Sequence, residues 1–372
     1  MRADNILLIR LSSIGDVLHC TPVARTLREH FPQARISWLV GEKSQEILHG
    51  NPDLDNIILW QREKWEQELR KGSWQKSVAD FRMLTQQLKN ERYDMVIDLQ
   101  GLLLTGLIGW RSGARTRIGF RQAREGSALF YTHRVRNEHR LQIVQHYLQL
   151  LRPLGIRRFN TQMVMPLAQR HYDFASNLFS SQNINEDQDR VIILNPSTSW
   201  PTKCWPPAYY ARLANLLGTG LAAKIMLLGA PGDVPLLKEI SAGISQPVIN
   251  LAGKTNLKEL AAVVQKSHLF ISGDTGPLHI AAAVGTPTLS LFGPTDPQVY
   301  APLDEKHAAI VSDARCRYCH KRSCAHSTCM GRILPEDVYL AARKIIQQKP
   351  QKKYMEATPY GEVTIKTIPA AV

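Results

Sequence analysis

The chain has 372 residues, 44% hydrophobic, 7% aromatic and 21% charged, a globular composition too long for one ordinary core and suited to two domains. No run approaches the roughly 20 apolar residues that span a bilayer, and the start "MRADNILLIRLSS" is charged too early for a signal peptide, so a cytoplasmic protein whose six cysteines are reduced or metal-bound is expected. The formal net charge of +14, with eleven arginines against two acids between Arg111 and Arg158, serves either general solubility or an anionic partner: nucleic acid, anionic lipid or a phosphorylated substrate.

In chain order, short apolar runs alternate with helical stretches. Strands are expected at Ile6–Ile9, Ile36–Val40, Ile57–Trp60 and Met95–Leu99, with a helix over Trp74–Asn90. A second series runs Val191–Leu194, Lys224–Leu228, Val248–Leu251, Leu269–Ser272 and Thr288–Phe292, with helices at Pro207–Leu217 and Leu257–Lys266. The polar stretch Ser180–Asp189 separates the two series and reads as a domain boundary. This alternation predicts an α/β protein of two Rossmann-like domains facing an interdomain cleft, with ligands at the carboxyl ends of the strands. The last stretch, residues 350–372, is Lys/Pro-rich and reads as a loose tail.

Four loops that follow strands carry chemistry. "SSIGD" after the first strand presents one carboxylate, Asp16, at the strand's carboxyl end, where an ordinary helix cap is the alternative to a site residue, and the missing G-x-G-x-x-G disfavours NAD and FAD. "NPSTSWPTKCWP" supplies the hydroxyls of Thr198 and Ser199 and the cation of Lys203, the parts of a phosphate clamp. "LLGAPGDVP" places Asp233 where an acid can hold ribose hydroxyls. "SGDTGPLH" breaks a buried strand with Gly273 and Gly276 around Asp274 and Thr275, then starts a helix at Pro277, so that free N–H groups point at a diphosphate. Together the last three predict a nucleoside diphosphate in the second domain. Two D-x-D strings, Asp53-Leu54-Asp55 and Asp187-Gln188-Asp189, read as solvated turns rather than metal–nucleotide sites. Cys20 and Cys204 lack the His–acid partners of a nucleophile. Cys316, Cys319, Cys324 and Cys329, spaced C-x2-C-x4-C-x4-C around His320 and His326, are either reduced thiols or the cage of a structural zinc.

The stretches "RLSSIGDVLHCTPVARTLREHFP", "YDMVIDLQG", "STSWPTKCWP", "LLGAPGD" and "SGDTGPLHIAAAVGTPTLSLFGPTDP" resemble the ADP-heptose:lipopolysaccharide heptosyltransferases of glycosyltransferase family 9, from Ile6 to about Lys349. The resemblance implies a GT-B fold: an acceptor-binding domain over residues 1–170 and a donor-binding domain over 171–349. It implies inverting transfer without a metal cofactor from ADP-L-glycero-D-manno-heptose to the lipid A-linked core of lipopolysaccharide, at the cytoplasmic face of the inner membrane as a peripheral protein. Asp16 then matches the catalytic aspartate. Thr198, Ser199 and Lys203 match donor phosphate contacts, and Asp274, Thr275, Gly276 and His279 match the donor loop. Asp233 falls near a ribose-binding glutamate and is one methylene shorter. "LWQREKW", with Arg62 and Lys64, resembles the acceptor-binding segment of the heptosyltransferase I type; Arg117, Arg121 and Arg124 join it as the basic face expected to meet acceptor carboxylates and phosphates. A GT-B transferase with another nucleotide-sugar donor and a non-catalytic nucleotide-sugar-binding protein stay open. A nucleic-acid partner is not expected, for want of a recognition motif.

Overall fold

The structure, a computed structural model, describes residues 3–138, 141–326, 328–347, 353–356 and 364–366. The chain divides into two compact units, Met1–Pro166 and Leu167–Val372.

Unit 1 runs β1 (Asn5–Ile9), α1 (Ile14–His30), β2 (Arg35–Gly41), α2 (Gln45–Leu48), β3 (Asn56–Trp60), α3 (Arg62–Arg70), α4 (Trp74–Asn90), β4 (Met95–Asp98), α5 (Leu103–Arg111), β5 (Thr116–Phe120), β6 (His133–Val135) and α6 (Ile143–Leu148). Its sheet has the order β3-β2-β1-β4-β5-β6, with every pair parallel. The central strands are apolar on both faces because helices cover both: Leu7, Ile9, Leu39 and Val96 pack with Leu84 and Leu88 of α4 and Ile108 of α5. Each such side chain, fully buried, contributes about 1.5–3 kcal/mol. β5 and β6 have no counterpart among the expected strands. β5 carries Arg117 and Gly119, which break its apolar run, yet glycine is required there: a Cβ at Gly119 would lie 2.2 Å from the Tyr131 ring.

Unit 2 runs α7 (Gln169–Ser181), β7 (Arg190–Asn195), α8 (Pro207–Leu221), β8 (Ala223–Leu227), α9 (Val234–Ala242), β9 (Val248–Asn250), α10 (Leu257–Gln265), β10 (Leu269–Gly273), α11 (Gly276–Ala283), β11 (Thr288–Phe292), α12 (Pro297–Tyr300), β12 (His307–Val311), α13 (Thr328–Gly331), α14 (Pro335–Gln347), β13 (Lys353–Glu356) and β14 (Thr364–Lys366). The sheet order is β14-β13-β12-β11-β10-β7-β8-β9, parallel except for the β13–β14 pair. Ser180–Asp189 is not a boundary in this fold: it ends α7 and turns into β7 within unit 2. Part of the tail expected to be loose forms β13 and β14; the rest lies outside the described residues.

The inner six strands of unit 2, β9-β8-β7-β10-β11-β12, repeat the order of unit 1. In each sheet the order reverses once, between β1 and β4 and between β7 and β10. The loops leaving those strands diverge to opposite sides and open a crevice at the carboxyl ends, where open α/β sheets bind their ligands.

Candidate functional site

In unit 1 the loop after β1 delivers Asp16. Ser13 is the N-cap of α1 and Asp16 the third residue of the helix, so the two form a capping box. Asp16 Oδ2 accepts from Ser13 Oγ at 2.9 Å and from the Ser13 amide at 3.3 Å, and it pairs with Arg10 Nη2 at 2.7 Å. The Tyr147 hydroxyl, brought in by α6, stands 3.5 Å from Oδ1. Burial alone would raise the Asp16 pKa, but the charges of Arg10 and His19 and the Ser13 hydrogen bonds outweigh it and hold the carboxyl below its usual value. Asp16 therefore serves as a capping-box acid and is also an ionised, one-third exposed carboxylate at a switch point.

Arg10 and Tyr147 were not expected at this site. Arg10 directly follows the four buried residues of β1, and a cation in that position must find a partner, which is the signal the sequence does carry. Tyr147 lies 131 residues from Asp16, and no local pattern reports such a contact.

The basic residues of unit 1 are placed unequally. Arg62 and Lys64 open α3 at the carboxyl end of β3, two strands from β1, or about 10 Å at ordinary strand spacing. Arg62 pairs with Glu66 at 2.7 Å. Arg121 and Arg124 follow the carboxyl end of β5 and are exposed. Arg117 does not join them. It sits at the amino end of β5, and its guanidinium donates to the carbonyls of Phe130 at 2.7 Å and Ala114 at 2.5 Å, so it braces the fold. Of the first D-x-D string, Asp53 is buried and pairs with Arg25, whereas Asp55 is exposed, as expected, and pairs with Arg28; the two pairs tie the turn before β3 to α1. The other string behaves as expected in part, with Asp189 pairing Lys224 at 2.9 Å near the surface.

In unit 2 the loops after β7 and β10 meet. Lys203 Nζ pairs with Asp274 Oδ2 at 2.6 Å, and His279 Nε2 lies 3.6 Å from Asp274 Oδ1. Gly273 permits this approach: a Cβ there would stand 2.9 Å from the Lys203 carbonyl oxygen. Burial would raise the Asp274 pKa; the His279 hydrogen bond and the Lys203 charge reverse that and hold it far below the carboxylate range. Lys203 Nζ also lies 4.3 Å from the Trp200 ring centroid, and the Arg322 guanidinium is 4.9 Å from the same centroid. The Asp274 carboxylate is thus engaged by Lys203 and His279. Thr275 is the N-cap of α11, Gly276 its first residue and Pro277 its second. Thr198 Oγ1 donates to the Trp200 carbonyl at 2.8 Å, while Ser199 is exposed. Asp233 joins its own loop to the loop after β7: its two oxygens accept from Ser197 Oγ and the Ala230 amide, each at 2.8 Å.

Cys316, Cys319 and Cys324 lie within electrostatic reach of Cys329, but the four differ in burial. Cys316 and Cys319 are exposed and Cys329 is buried, and among the described residues no three His, Cys, Asp or Glu stand close enough together to hold a metal ion. The Cys316–Cys324 segment has no helix or strand, whereas Cys329 is carried inward by α13. The segment instead packs against the donor loop, where Thr202 Oγ1 donates to the Lys321 carbonyl at 2.7 Å. Cys20 is buried and its thiol pKa is pushed up by burial, which makes it inert. A surface cavity of about 660 Å³ lined by Ala211, Asn215, Glu239 and Tyr339 lies among α8, α9 and α14 and holds none of the expected site residues. No helix among the described residues is long and apolar enough to cross a membrane.

Residues 81–329 match the family model of glycosyltransferase family 9 (heptosyltransferase). The chain is 27% identical over 257 residues to the lipopolysaccharide core heptosyltransferase OpsX of Haemophilus influenzae, covering 68% of each chain. It is 29% identical over 260 residues to lipopolysaccharide heptosyltransferase 1 of Pseudomonas aeruginosa, covering 67% of this chain and 68% of that one. A glycosyl transferase family 9 structure from Veillonella parvula superposes with a TM-score of 0.83 at 23% identity, over 93% of this chain and 99% of that one. The Escherichia coli heptosyltransferase WaaC with ADP gives 0.71 at 23% identity, over 92% and 99%. These structures establish the fold, the GT-B fold that the sequence implied. With more than half of its length inside the family model, the chain belongs to glycosyltransferase family 9, the heptosyltransferases.

Proposed function

We propose that the protein transfers L-glycero-D-manno-heptose from ADP-heptose to the Kdo–lipid A side of the lipopolysaccharide inner core, with inversion and without a metal. The relatives are lipopolysaccharide heptosyltransferases, and solved neighbours hold ADP and an ADP-fluoroheptose. The observation that carries the mechanism is the Asp16 side chain, ionised, held by Arg10 and Ser13, and reachable at a switch point. Asp16 takes the proton from the acceptor hydroxyl as that oxygen attacks the anomeric carbon. One displacement by the acceptor inverts the centre, and the bond to the diphosphate breaks with its electron pair leaving on ADP.

Unit 2 answers the charge that develops on the leaving diphosphate. Lys203 has three N–H donors and Asp274 engages one, which leaves the others for phosphate oxygens. The N-terminus of α11 at Thr275 and Gly276 adds backbone donors and the positive end of a helix dipole, and Thr198, Ser199 and His279 complete the donor loops. Arg62, Lys64, Arg121 and Arg124 meet the anionic acceptor, and the enzyme works as a peripheral protein at the cytoplasmic face of the inner membrane, as its relatives' lipopolysaccharide substrates suggest.

The test is ADP release from ADP-heptose with and without Kdo2–lipid A, each with and without EDTA. We expect release only with the acceptor and at the same rate in EDTA. Transfer only from a UDP- or GDP-sugar, or loss of turnover in EDTA, would overturn the reading.

A further inference from the structure

Asp16 is gripped unevenly. Its Oδ2 accepts from three donors, Arg10 Nη2, Ser13 Oγ and the Ser13 amide, which is more than the lone pairs of one carboxylate oxygen. Its Oδ1 is approached by the Tyr147 hydroxyl at 3.5 Å, the outer limit of a hydrogen bond. Arg10 is itself held on three sides. Its side chain is 8% exposed, its Nη1 donates to the Leu99 carbonyl at 2.6 Å, and its guanidinium lies 5.3 Å from the Tyr147 ring centroid. The guanidinium thus connects the loops leaving β1 and β4, the two strands that flank the switch point, and α6 closes over it.

We propose that Arg10 is a positioning residue for the transfer: with Ser13 it pins Oδ2 of Asp16, so that Oδ1 is the oxygen that takes the proton from the attacking hydroxyl. This rests on Asp16 being the base, as proposed above. A proton arriving at Oδ2 would displace a charged donor, whereas one arriving at Oδ1 displaces at most the long Tyr147 contact. The proton moves from the acceptor hydroxyl to Oδ1, the freed oxygen pair forms the new bond to the anomeric carbon, and the old bond's pair leaves with the diphosphate.

The charged and titratable groups around Asp16 come from three elements: Arg10 after β1, His19 and Cys20 on α1, and His146 and Tyr147 on α6. Burial keeps the Cys20 thiol protonated, and burial with the Arg10 charge pushes His146 down to about 4, so both are neutral at working pH. Arg10, His19 and the Ser13 hydrogen bonds are left to set the ionisation of Asp16, and removing the Arg10 charge raises its pKa.

The experiment is kcat against pH for wild type, Arg10→Met, Arg10→Lys, Ser13→Ala and Asp16→Asn, with ADP affinity measured alongside. Loss of a close opposite charge raises a carboxyl pKa by about 1–3 units, so the acid limb of Arg10→Met moves up by about one pH unit or more. Its plateau falls about 10- to 100-fold through misplacement of the base, while ADP affinity is unchanged. Arg10→Lys keeps the limb near wild type because the charge remains, and Ser13→Ala moves it in the same direction as Arg10→Met by less. If Arg10→Met fails to fold, Ser13→Ala and Arg10→Lys decide. Unmoved limbs in the folded Arg10→Met and Ser13→Ala variants with a dead Asp16→Asn overturn the role of Arg10 alone; an active Asp16→Asn overturns the base reading itself.

Discussion

At the switch point of unit 1 an aspartate meets an arginine at 2.7 Å, and at that of unit 2 an aspartate meets a lysine at 2.6 Å. The strand order and the sign of the charges are the same; the strand that the acid follows, β1 in one unit and β10 in the other, and its exposure are not. Asp16 is 34% exposed beside a buried Arg10, whereas Asp274 is 8% exposed beside a Lys203 that is 12% exposed. An acid that trades a proton with an incoming group must be reachable, and Asp16 is. An acid sealed against its cation organises the loops that carry it, and Asp274 ties the loop after β7 to the loop after β10. Composition cannot separate the two aspartates; the depth at which the fold buries them can.

The largest effect that sharpens this contrast is Asp274→Asn. Removing one partner of a buried pair strands the other charge, at a cost of about 3–5 kcal/mol. We expect unit 2 to lose stability by that order in denaturant unfolding, and ADP affinity to fall with it. Because the Asp274 pKa is lowered in the folded state, the stability it contributes is fully present above about pH 4 and is lost as pH falls through the much lower folded value. The difference between wild type and variant therefore shrinks below about pH 4. An unfolding midpoint equal to wild type at pH 7 would mean that the pair is not sealed.

Next in size is His146, which stacks on Phe120 with ring centroids 4.1 Å apart beside the Arg10–Asp16 pair. Its folded pKa, about 4, lies below the ordinary histidine value. The unfolded chain then binds more protons between about pH 6.5 and 4, so stability falls as pH drops through that window, by up to about 3 kcal/mol. His146→Phe should flatten that slope in unfolding measured from pH 7 to 4.5. An unchanged slope would place the titration elsewhere.

The smallest effects separate the arginines. Arg117→Gln should cost about 1–3 kcal/mol by orphaning two carbonyls, and leave acceptor KM alone. Arg62→Glu should change stability by less than about 1 kcal/mol, since its pair with Glu66 is a surface contact, and should raise acceptor KM in a salt-dependent way. A raised acceptor KM for Arg117→Gln would return that residue to the site.

Much of this was legible in the sequence. Nine expected strands match β1 to β4 and β7 to β11 within a residue or two, because strands buried on both faces are written as continuous apolar runs. β5, β6 and β12 were not, since "TRIGF", "HRV" and "HAAIV" are short, charged or alanine-rich. Asp16, Lys203 and Asp274 stand out through loop chemistry after strands. Their partners are less visible: the Lys203–Asp274 pair spans 71 residues and the Asp16–Tyr147 contact 131. Arg121 and Arg124 are exposed, but Arg117 shows that a count of charges does not say which guanidinium the fold has already used.

The central claim is that the exposed acid of unit 1 does the chemistry and the sealed acid of unit 2 does not. It is tested most directly by turnover and ADP affinity of Asp16→Asn, which keeps the size of the side chain and removes its ability to take a proton. The account predicts a kcat lower by about 10²–10⁴-fold with ADP affinity within about twofold of wild type. Near-wild-type turnover by Asp16→Asn would contradict it.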